Sequence, residues 1–393
     1  MKIAIFTDTF LPSVNGVVTS TLNLVKGLAS RGHRIWIICP KIPGTHREFS
    51  YPNVTVVRIS SIPSMLYPGL RITSLISPKI IRLVKHNDIQ LLHFTVTIGL
   101  GFQAINISKK LNIPLVGTFH TFFADTQYLK HAHLDYKSFE EMAWKFSNWF
   151  YKHCDLITTC ADYTKRDMIR NGCADNIKVI SNGINTNIFD NKDAPKMKKR
   201  YNPKGNILLF VGRIAYEKNI EYLLDCFGLV EKAMPDTKLL LVGDGPQRTE
   251  VAEKIKDMKL EGKVIMLGNI PHHRFVTSGI LGATDLFVTA SVTENQPMTI
   301  LEAQANGIPC IGVKAKGVPD LIKNNRNGFT VPVGNKKAFA AAVVKILGDD
   351  KLQKRLRKGT LRMIKRHDIG YVIDEWEKTY NRLIESNKRK KRK

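Results

Sequence analysis

Short apolar runs rich in β-branched residues recur along this chain, each followed by a longer segment of helical apolar spacing, and few folds accommodate that alternation. It is the pattern of βα units around a parallel sheet: strands covered on both faces read as continuous apolar runs, while their crossover helices bury a single stripe. In the first half the runs fall near residues 2–6, 34–39, 54–59, 89–94, 114–119, 156–159 and 177–180. A second series falls near 207–211, 238–242, 264–267, 286–289 and 309–312, and segments 335–348, 350–366 and 370–387 read as consecutive helices. Between the series, residues 190–204 turn polar, with Pro195, Pro203 and a basic cluster from Lys196 to Arg200, which reads as a linker. The expected organisation is a first domain at 1–190, a linker at 191–204, a second domain at 205–370, and a C-terminal helix with a basic tail at 371–393. A length of 393 residues agrees, being beyond the size at which one core usually keeps growing. Open sheets of this kind bind ligands beyond the carboxyl ends of their strands, so two of them facing each other predict a ligand cleft between the domains.

Charge narrows the partners. Lys and Arg number 60 against 34 Asp and Glu, a net charge of +26 that solubility does not require. Residues 1–200 carry 26 basic and 13 acidic side chains and the rest 34 and 21, so the excess is not confined to the tail Lys388-Arg389-Lys390-Lys391-Arg392-Lys393. Anionic lipid and nucleic acid both attract such a surface. No RRM-like, KH or zinc-finger pattern is present, which leaves a basic nucleic-acid-binding protein as the weaker alternative. No stretch approaches the roughly 20 apolar residues of a membrane-spanning helix. The N-terminal run meets Asp8 and Pro12 before a signal-peptide core could form and reads as a buried strand. Cys39, Cys154, Cys160, Cys173, Cys226 and Cys310 form no Cys-x-x-Cys pair, so neither a zinc site nor a disulfide framework is expected, and a reducing cytosol fits.

Two motifs carry chemistry. In Glu294-Asn295-Gln296-Pro297-Met298-Thr299-Ile300-Leu301-Glu302, Glu294 should lie in the loop after a strand and Glu302 about a turn into the following helix, which Pro297 suits as a start. Both carboxylates could then accept from paired hydroxyls of one ligand, although two solvated surface glutamates would share this spacing. Phe210-Val211-Gly212-Arg213-Ile214-Ala215-Tyr216-Glu217-Lys218 places Arg213 and Lys218 between a strand and a helix, where two cations suit a diphosphate; a surface ion pair with Glu217 is the plainer alternative. Gly243-Asp244-Gly245-Pro246 lacks the third glycine of a dinucleotide motif and reads as a tight turn.

Taken in order, Gly-Arg-x4-Lys, Gly243-Asp244-Gly245-Pro246 and Glu-x7-Glu resemble family 4 of the retaining glycosyltransferases. The resemblance extends to Pro12-Ser13-Val14-Asn15-Gly16-Val17-Val18 and Val179-Ile180-Ser181-Asn182-Gly183-Ile184, and so covers essentially the whole chain. It implies the GT-B fold, an α/β architecture of two doubly wound Rossmann-like domains facing a central cleft. It also implies roles: Arg213 and Lys218 on the donor diphosphate, Glu302 on the ribose hydroxyls, Glu294 on the transferred sugar, and Gly16 giving the first loop's backbone access to phosphates and sugar. Gly243, Asn295, Gln296, Pro297 and Met298 would line the nucleotide-sugar site. His120, in Gly117-Thr118-Phe119-His120-Thr121, matches the acceptor-side histidine, with a core or capping histidine as its alternative. The implied catalytic set is His120, Arg213, Lys218 and Glu294, acting by a same-face displacement in which the leaving diphosphate helps deprotonate the acceptor. The chain contains no Asp-x-Asp, so transfer without a metal or other cofactor is expected; His131-Ala132-His133 lacks a third ligand.

Many relatives have a Gly-Phe-Gly-Leu-like stretch where this chain has Asn295-Gln296-Pro297-Met298, and the Glu-Asn-Gln form is similar to bacterial diacylglycerol glycosyltransferases. The expected reaction is transfer of glucose or galactose from a UDP-sugar to 1,2-diacylglycerol. Lipopolysaccharide, a phosphoinositide, a sterol or another lipid-linked glycan is the alternative acceptor, and a non-hydrolysing sugar-nucleotide epimerase would share the fold. An anionic membrane surface is the expected partner, with the protein peripheral on the cytoplasmic side. Residues 64–70, an apolar turn-rich loop, and the aromatic segment 139–153 are the candidate contacts, the latter equally readable as a core-facing helix.

Overall fold

The computed structural model describes residues 1–13, 15–44, 49–63, 71–120 and 136–392. Residues 1–183 together with 369–393 form one compact unit, and residues 184–368 form a second.

The first unit is built on a seven-stranded parallel sheet. Its strands are β1 (Lys2–Phe6), β2 (Arg34–Pro40), β3 (Val54–Ile59), β6 (Leu91–Phe94), β7 (Leu115–Phe119), β8 (Leu156–Thr159) and β9 (Ile177–Val179), in the order β3-β2-β1-β6-β7-β8-β9. A small antiparallel pair, β4 (Ser61–Pro63) with β5 (Arg71–Thr73), stands apart. Side chains alternate along each strand, so β1 sends Ala4 and Phe6 to one face and Ile3 and Ile5 to the other. On the Ala4 side the core is closed by α2 (Pro78–His86), α3 (Gly99–Leu111) and α4 (Tyr136–Tyr151), which contribute Ile80, Leu100, Trp144 and Phe150. On the Ile3 side it is closed by α1 (Gly16–Ser30), whereas α5 (Asp162–Arg170), which leads into β9, buries Met168 on the Ala4 side.

The second helix on the Ile3 side comes from the far end of the chain. The terminal helix (Ile369–Arg392) buries Val372, Ile373, Trp376, Tyr380 and Ile384 in the same core as Ile5, Leu28 and Val116. Arg31 and His33, just past α1, pair with Glu377, and Arg31 also lies 2.6 Å from Asp374. Gly27 lets the two helices meet, because a Cβ there would come within 2.4 Å of Ile373. The expected separate tail is therefore corrected: residues 371–392 belong to the first unit, and the helix continues through the basic run.

The second unit has a six-stranded parallel sheet of β10 (Ile207–Val211), β11 (Lys238–Val242), β12 (Val264–Gly268), β13 (Leu286–Thr289), β14 (Cys310–Val313) and β15 (Gly328–Val331), ordered β12-β11-β10-β13-β14-β15. Its helices are α6 (Ala194–Tyr201), α7 (Ile220–Ala233), α8 (Arg248–Asp257), α9 (His272–Phe275), α10 (Ile280–Ala283), α11 (Met298–Ala305), α12 (Val318–Leu321), α13 (Lys336–Leu347) and α14 (Asp350–Met363); the terminal helix of the first unit is then α15. The expected linker is also corrected, since 194–201 is a helix whose Met197 and Tyr201, one turn apart, are buried in the second core. Its charged residues form the solvent face of an amphipathic helix, which the proline and lysine content had disguised. The break between units falls at residue 183/184 rather than at 190.

Trp376 is 6% exposed and packs 5.2 Å from both His93 and Tyr380, ring centre to ring centre. Trp376→Ala should destabilise the first unit by about 3–5 kcal/mol. In calorimetry this would lower one transition and leave that of the second unit in place; an unmoved thermogram would show that α15 does not carry the first core.

Candidate functional site

In the second sheet the chain progresses from β10 outward to β11 and β12, then returns to start again at β13 on the other side. β10 and β13 are therefore neighbours, and the loops that leave their carboxyl ends emerge side by side at the topological switch point, where open α/β sheets bind ligands. These are the loops that hold Gly212-Arg213 to Lys218 and Ser291 to Pro297. Lys218 Nζ donates to Glu294 Oε1 in a partly buried ion pair, with the two side chains 20% and 23% exposed. Ser291 Oγ donates to the carbonyl of Glu217 at 3.1 Å, a second tie between the loops. Lys218 thus pairs across the crevice rather than within its own loop, and Arg213, earlier in that loop, is exposed.

Glycines set the backbone spacing here. A Cβ on Gly243 (φ 139°) would lie 1.8 Å from the carbonyl oxygen of Gly212, so the loops after β10 and β11 can touch only as they are. Gly317, before α12, donates its N–H to the carbonyl of Glu294 at 2.9 Å, and a Cβ there would sit 1.6 Å from Asn295 O. The glutamate loop is thus clamped by β14's loop as well as by Lys218.

Pro297, which has no side-chain acceptor, is the N-cap of α11, and its carbonyl accepts from the Ile300 amide at 3.2 Å; the positive end of the helix suits an anion. Gln296 and Pro297 are buried, and Asn295 and Met298 half-buried. Glu302, one turn in, has a side chain only 10% exposed and accepts from Nε2 of His272 at 2.9 Å. That hydrogen bond raises the His272 pKa above the ordinary histidine value, partial burial opposing it.

The first unit has its own switch point, between β1 and β6. Gly16 opens α1 beyond β1, with Asn15 capping the helix through Val18 N–H at 3.0 Å. No atom lies within 4 Å of a Cβ built on Gly16. His120 follows β7 directly and lines a small cavity with Thr21, Thr95, Thr118, Ser181 and Trp376. Burial pushes His120 down to about 4, which leaves a neutral imidazole at physiological pH. Behind it His93, pushed to about 3 by burial and by His120, is held between Tyr380 Oη at 2.7 Å and Thr118 Oγ1 at 2.6 Å. Asp8 is 2% exposed and accepts from Leu100 N–H at the start of α3 at 3.2 Å. Burial lifts its carboxyl to about 7, against that hydrogen bond.

Gly16 and His120 thus stand in the first unit, while Arg213, Lys218, Gly243, Glu294 to Met298 and Glu302 gather at one edge of the second. His272 and Gly317 were not marked by the sequence reading. Gly317 carried a usable signal, a Lys-Gly-Val-Pro turn just after a predicted strand; His272, in an unremarkable Pro-His-His, carried none. His131, His133 and residues 64–70 lie outside the described residues.

Two family descriptions match the chain, "Glycosyltransferase Family 4" over residues 14–188 and "Glycosyl transferases group 1" over residues 191–363. The alpha-monoglucosyldiacylglycerol synthase of Streptococcus pneumoniae is 30% identical over 330 residues, which cover 82% of this chain and 72% of that protein. The synthase of the same name from Acholeplasma laidlawii is 29% identical over 84% of each. A GDP-mannose-dependent alpha-mannosyltransferase of Corynebacterium glutamicum is 28% identical over 89% of this chain and 82% of its own. Among solved structures, Anabaena HepE in complex with UDP superposes with a TM-score of 0.76 at 18% identity, covering 97% of this chain and all of that one. The fold is thereby that of the GT-B glycosyltransferases.

Gly317→Ala and Gly16→Ala should separate packing from access. The first is expected to lower the melting temperature of the second unit through a clash worth about 1–3 kcal/mol. The second, with open space at its Cβ, should leave thermal unfolding unchanged; equal melting of both variants would contradict the clamp on the glutamate loop.

Proposed function

The chain belongs to glycosyltransferase family 4, and we propose that it transfers glucose or galactose from the UDP-sugar to a membrane lipid, 1,2-diacylglycerol first, with retention of configuration. The observation that carries the donor half of this reading is the joining of the β10 and β13 loops through Lys218 and Glu294. It sets cations beside a carboxylate at the one edge where the second sheet can receive a ligand. The acceptor half is supported by likeness to two proteins named alpha-monoglucosyldiacylglycerol synthase and by the Asn295-Gln296 variant of the glutamate motif.

In this reading Arg213, Lys218 and the positive N-terminal end of α11 hold the donor diphosphate, Glu302 takes the ribose hydroxyls and Glu294 the sugar. The bond from the anomeric carbon to the diphosphate oxygen breaks while the acceptor hydroxyl approaches the same face. Its proton passes to the leaving phosphate, whose growing charge Arg213 and Lys218 stabilise. His120, neutral because it is buried, orients the acceptor hydroxyl rather than abstracting its proton. The residues proposed here provide the charge stabilisation that a divalent cation would otherwise supply, so transfer is expected to proceed with EDTA present.

A lipid acceptor needs a docking face. Among the described residues no helix is long and apolar enough to cross a membrane. In the first unit Ile62, Ile72, Leu75 and Ile76 are exposed apolar side chains around the β4–β5 pair, and the adjoining α2 exposes Lys79, Arg82 and Lys85. Apolar side chains rimmed by lysine and arginine suit an anionic bilayer surface, each well-placed cation adding about 1 kcal/mol. The aromatic segment contributes less than its composition suggests: Trp144, Phe150 and Tyr151 are core residues, leaving Met142 and Phe146 exposed.

The test is transfer of labelled sugar from UDP-glucose, UDP-galactose and GDP-mannose, with EDTA, to diacylglycerol in mixed micelles with and without anionic lipid. A UDP-sugar-dependent, α-linked glycolipid is expected, with Lys218→Met and Glu294→Gln each lowering kcat about 10²-fold or more. Gly16→Ala, though stably folded, should lose donor binding. Transfer from GDP-mannose alone would overturn the donor, and donor binding without lipid product would move the acceptor to a glycan.

A further inference from the structure

His272 begins α9, the short turn after β12, and its side chain is 53% exposed, yet its Nε2 is held against Glu302, which is almost covered. Glu302 is the carboxylate assigned above to the donor's ribose. A carboxylate oxygen that already accepts from an imidazole has less to offer a hydroxyl approaching the same lone pair. We propose that His272 competes with the donor nucleoside for Glu302, the imidazolium closing the subsite and the neutral ring releasing it. The inference rests on the nucleotide-sugar reading and adds to it a residue that governs donor affinity.

The local structure permits such a movement. The ring has an open side toward solvent, and it stands at the first position of a four-residue helix that follows a glycine with φ of 69°, Gly268. Glu302 reaches the ring from α11; His273 and Arg274 on its own turn are exposed; and Arg248 of α8, close to Gly268, is paired with Asp244 at 3.3 Å. The hydrogen bond to Glu302 is what raises the proton affinity of His272, and burial works against it. A ligand that takes Glu302 removes that support, so the bound protein holds fewer protons than the free one. By linkage, donor affinity then rises as pH rises through the His272 titration, and levels off above it. The opposite sign would hold if the imidazolium stayed in place and attracted the diphosphate.

The experiment is calorimetric titration with UDP-glucose, whose diphosphate, esterified at both ends, keeps a constant charge across the histidine range. Wild-type affinity should fall on acidification through the titration of the ring, by at most about tenfold per pH unit, and level off once the displaced ring is itself protonated. His272→Ala and His272→Gln should show flat profiles, and His272→Ala should bind several-fold more tightly than wild type at the acid end. A flat wild-type profile, tighter binding at low pH, or loss of affinity in His272→Ala would overturn the proposal. The pair is checked separately by NMR titration of the His272 ring, whose pKa should drop toward the ordinary value in Glu302→Gln; an unmoved pKa would also overturn it. If wild type binds no nucleotide sugar at any pH while that shift is present, the donor reading has failed and the inference falls with it.

Discussion

The ion pair between Lys218 and Glu294 ties together the two loops of the second unit's candidate site, and it exists because of strand order. The two residues lie on loops that β10 and β13 bring together at the centre of the sheet, where the direction of winding reverses. Neither side chain is fully buried, so the pair is not a large source of stability. Its effect is positional: it aims a cation and a carboxylate at the same small volume, each keeping the other from wandering while no ligand is bound. Glu302 stands in a parallel situation with His272. Both carboxylates that Glu-x7-Glu supplies are therefore held by a cation or a potential cation, and in the proposed reading a ligand would exchange hydrogen bonds with these partners rather than meet bare charges.

The backbone around these groups is as specific as the side chains. Gly212 and Gly243 approach so closely that no side chain fits between them, and Gly317 presses on Asn295 in the same way. Such contacts leave the loops after four neighbouring strands with little freedom to drift, which is the condition for catalytic groups to be held near productive geometry. Proline at the start of α11 has the same logic, because it offers no side-chain acceptor of its own to the first-turn amides.

Strand positions and the two principal motifs were legible in the sequence because each depends on local pattern: buried parallel strands are continuous apolar runs, and Glu294 and Glu302 are fixed by one loop and one helical turn. What was not legible is tertiary. The 191–204 segment read as a linker because prolines and lysines dominate its composition, whereas the deciding signal was the single pair Met197 and Tyr201, one turn apart. The stripe Val372, Ile373, Trp376, Tyr380 and Ile384 announces a buried helical face but not which sheet it covers. His272 meets Glu302 across thirty residues through the placement of α9 beside α11, a contact that no spacing rule anticipates.

The placement of α15 has a consequence for how the first unit comes to be. One face of its sheet, with Ile3, Ile5, Leu91 and Val116, shares a core with a helix that the chain supplies only after the whole second unit. A purely apolar stripe could slide along that face, since hydrophobic contacts carry little directional information. His93 removes this freedom. It interrupts the apolar strand Leu91-Leu92-His93-Phe94, is fully buried, and has one nitrogen on Tyr380 of α15 and the other on Thr118 of β7, which in turn lies 2.6 Å from Thr158 of β8. Any other register of α15 would leave a buried imidazole and a buried phenol unpaired, at a cost of about 1–3 kcal/mol each. The same network lies directly behind His120 on the cavity wall, so the residue that would meet the acceptor gets its backing from the last helix of the chain. The first unit cannot present that histidine in its final setting until residues 369–384 have been made and have docked, which ties the surroundings of His120 to chain that follows the second unit.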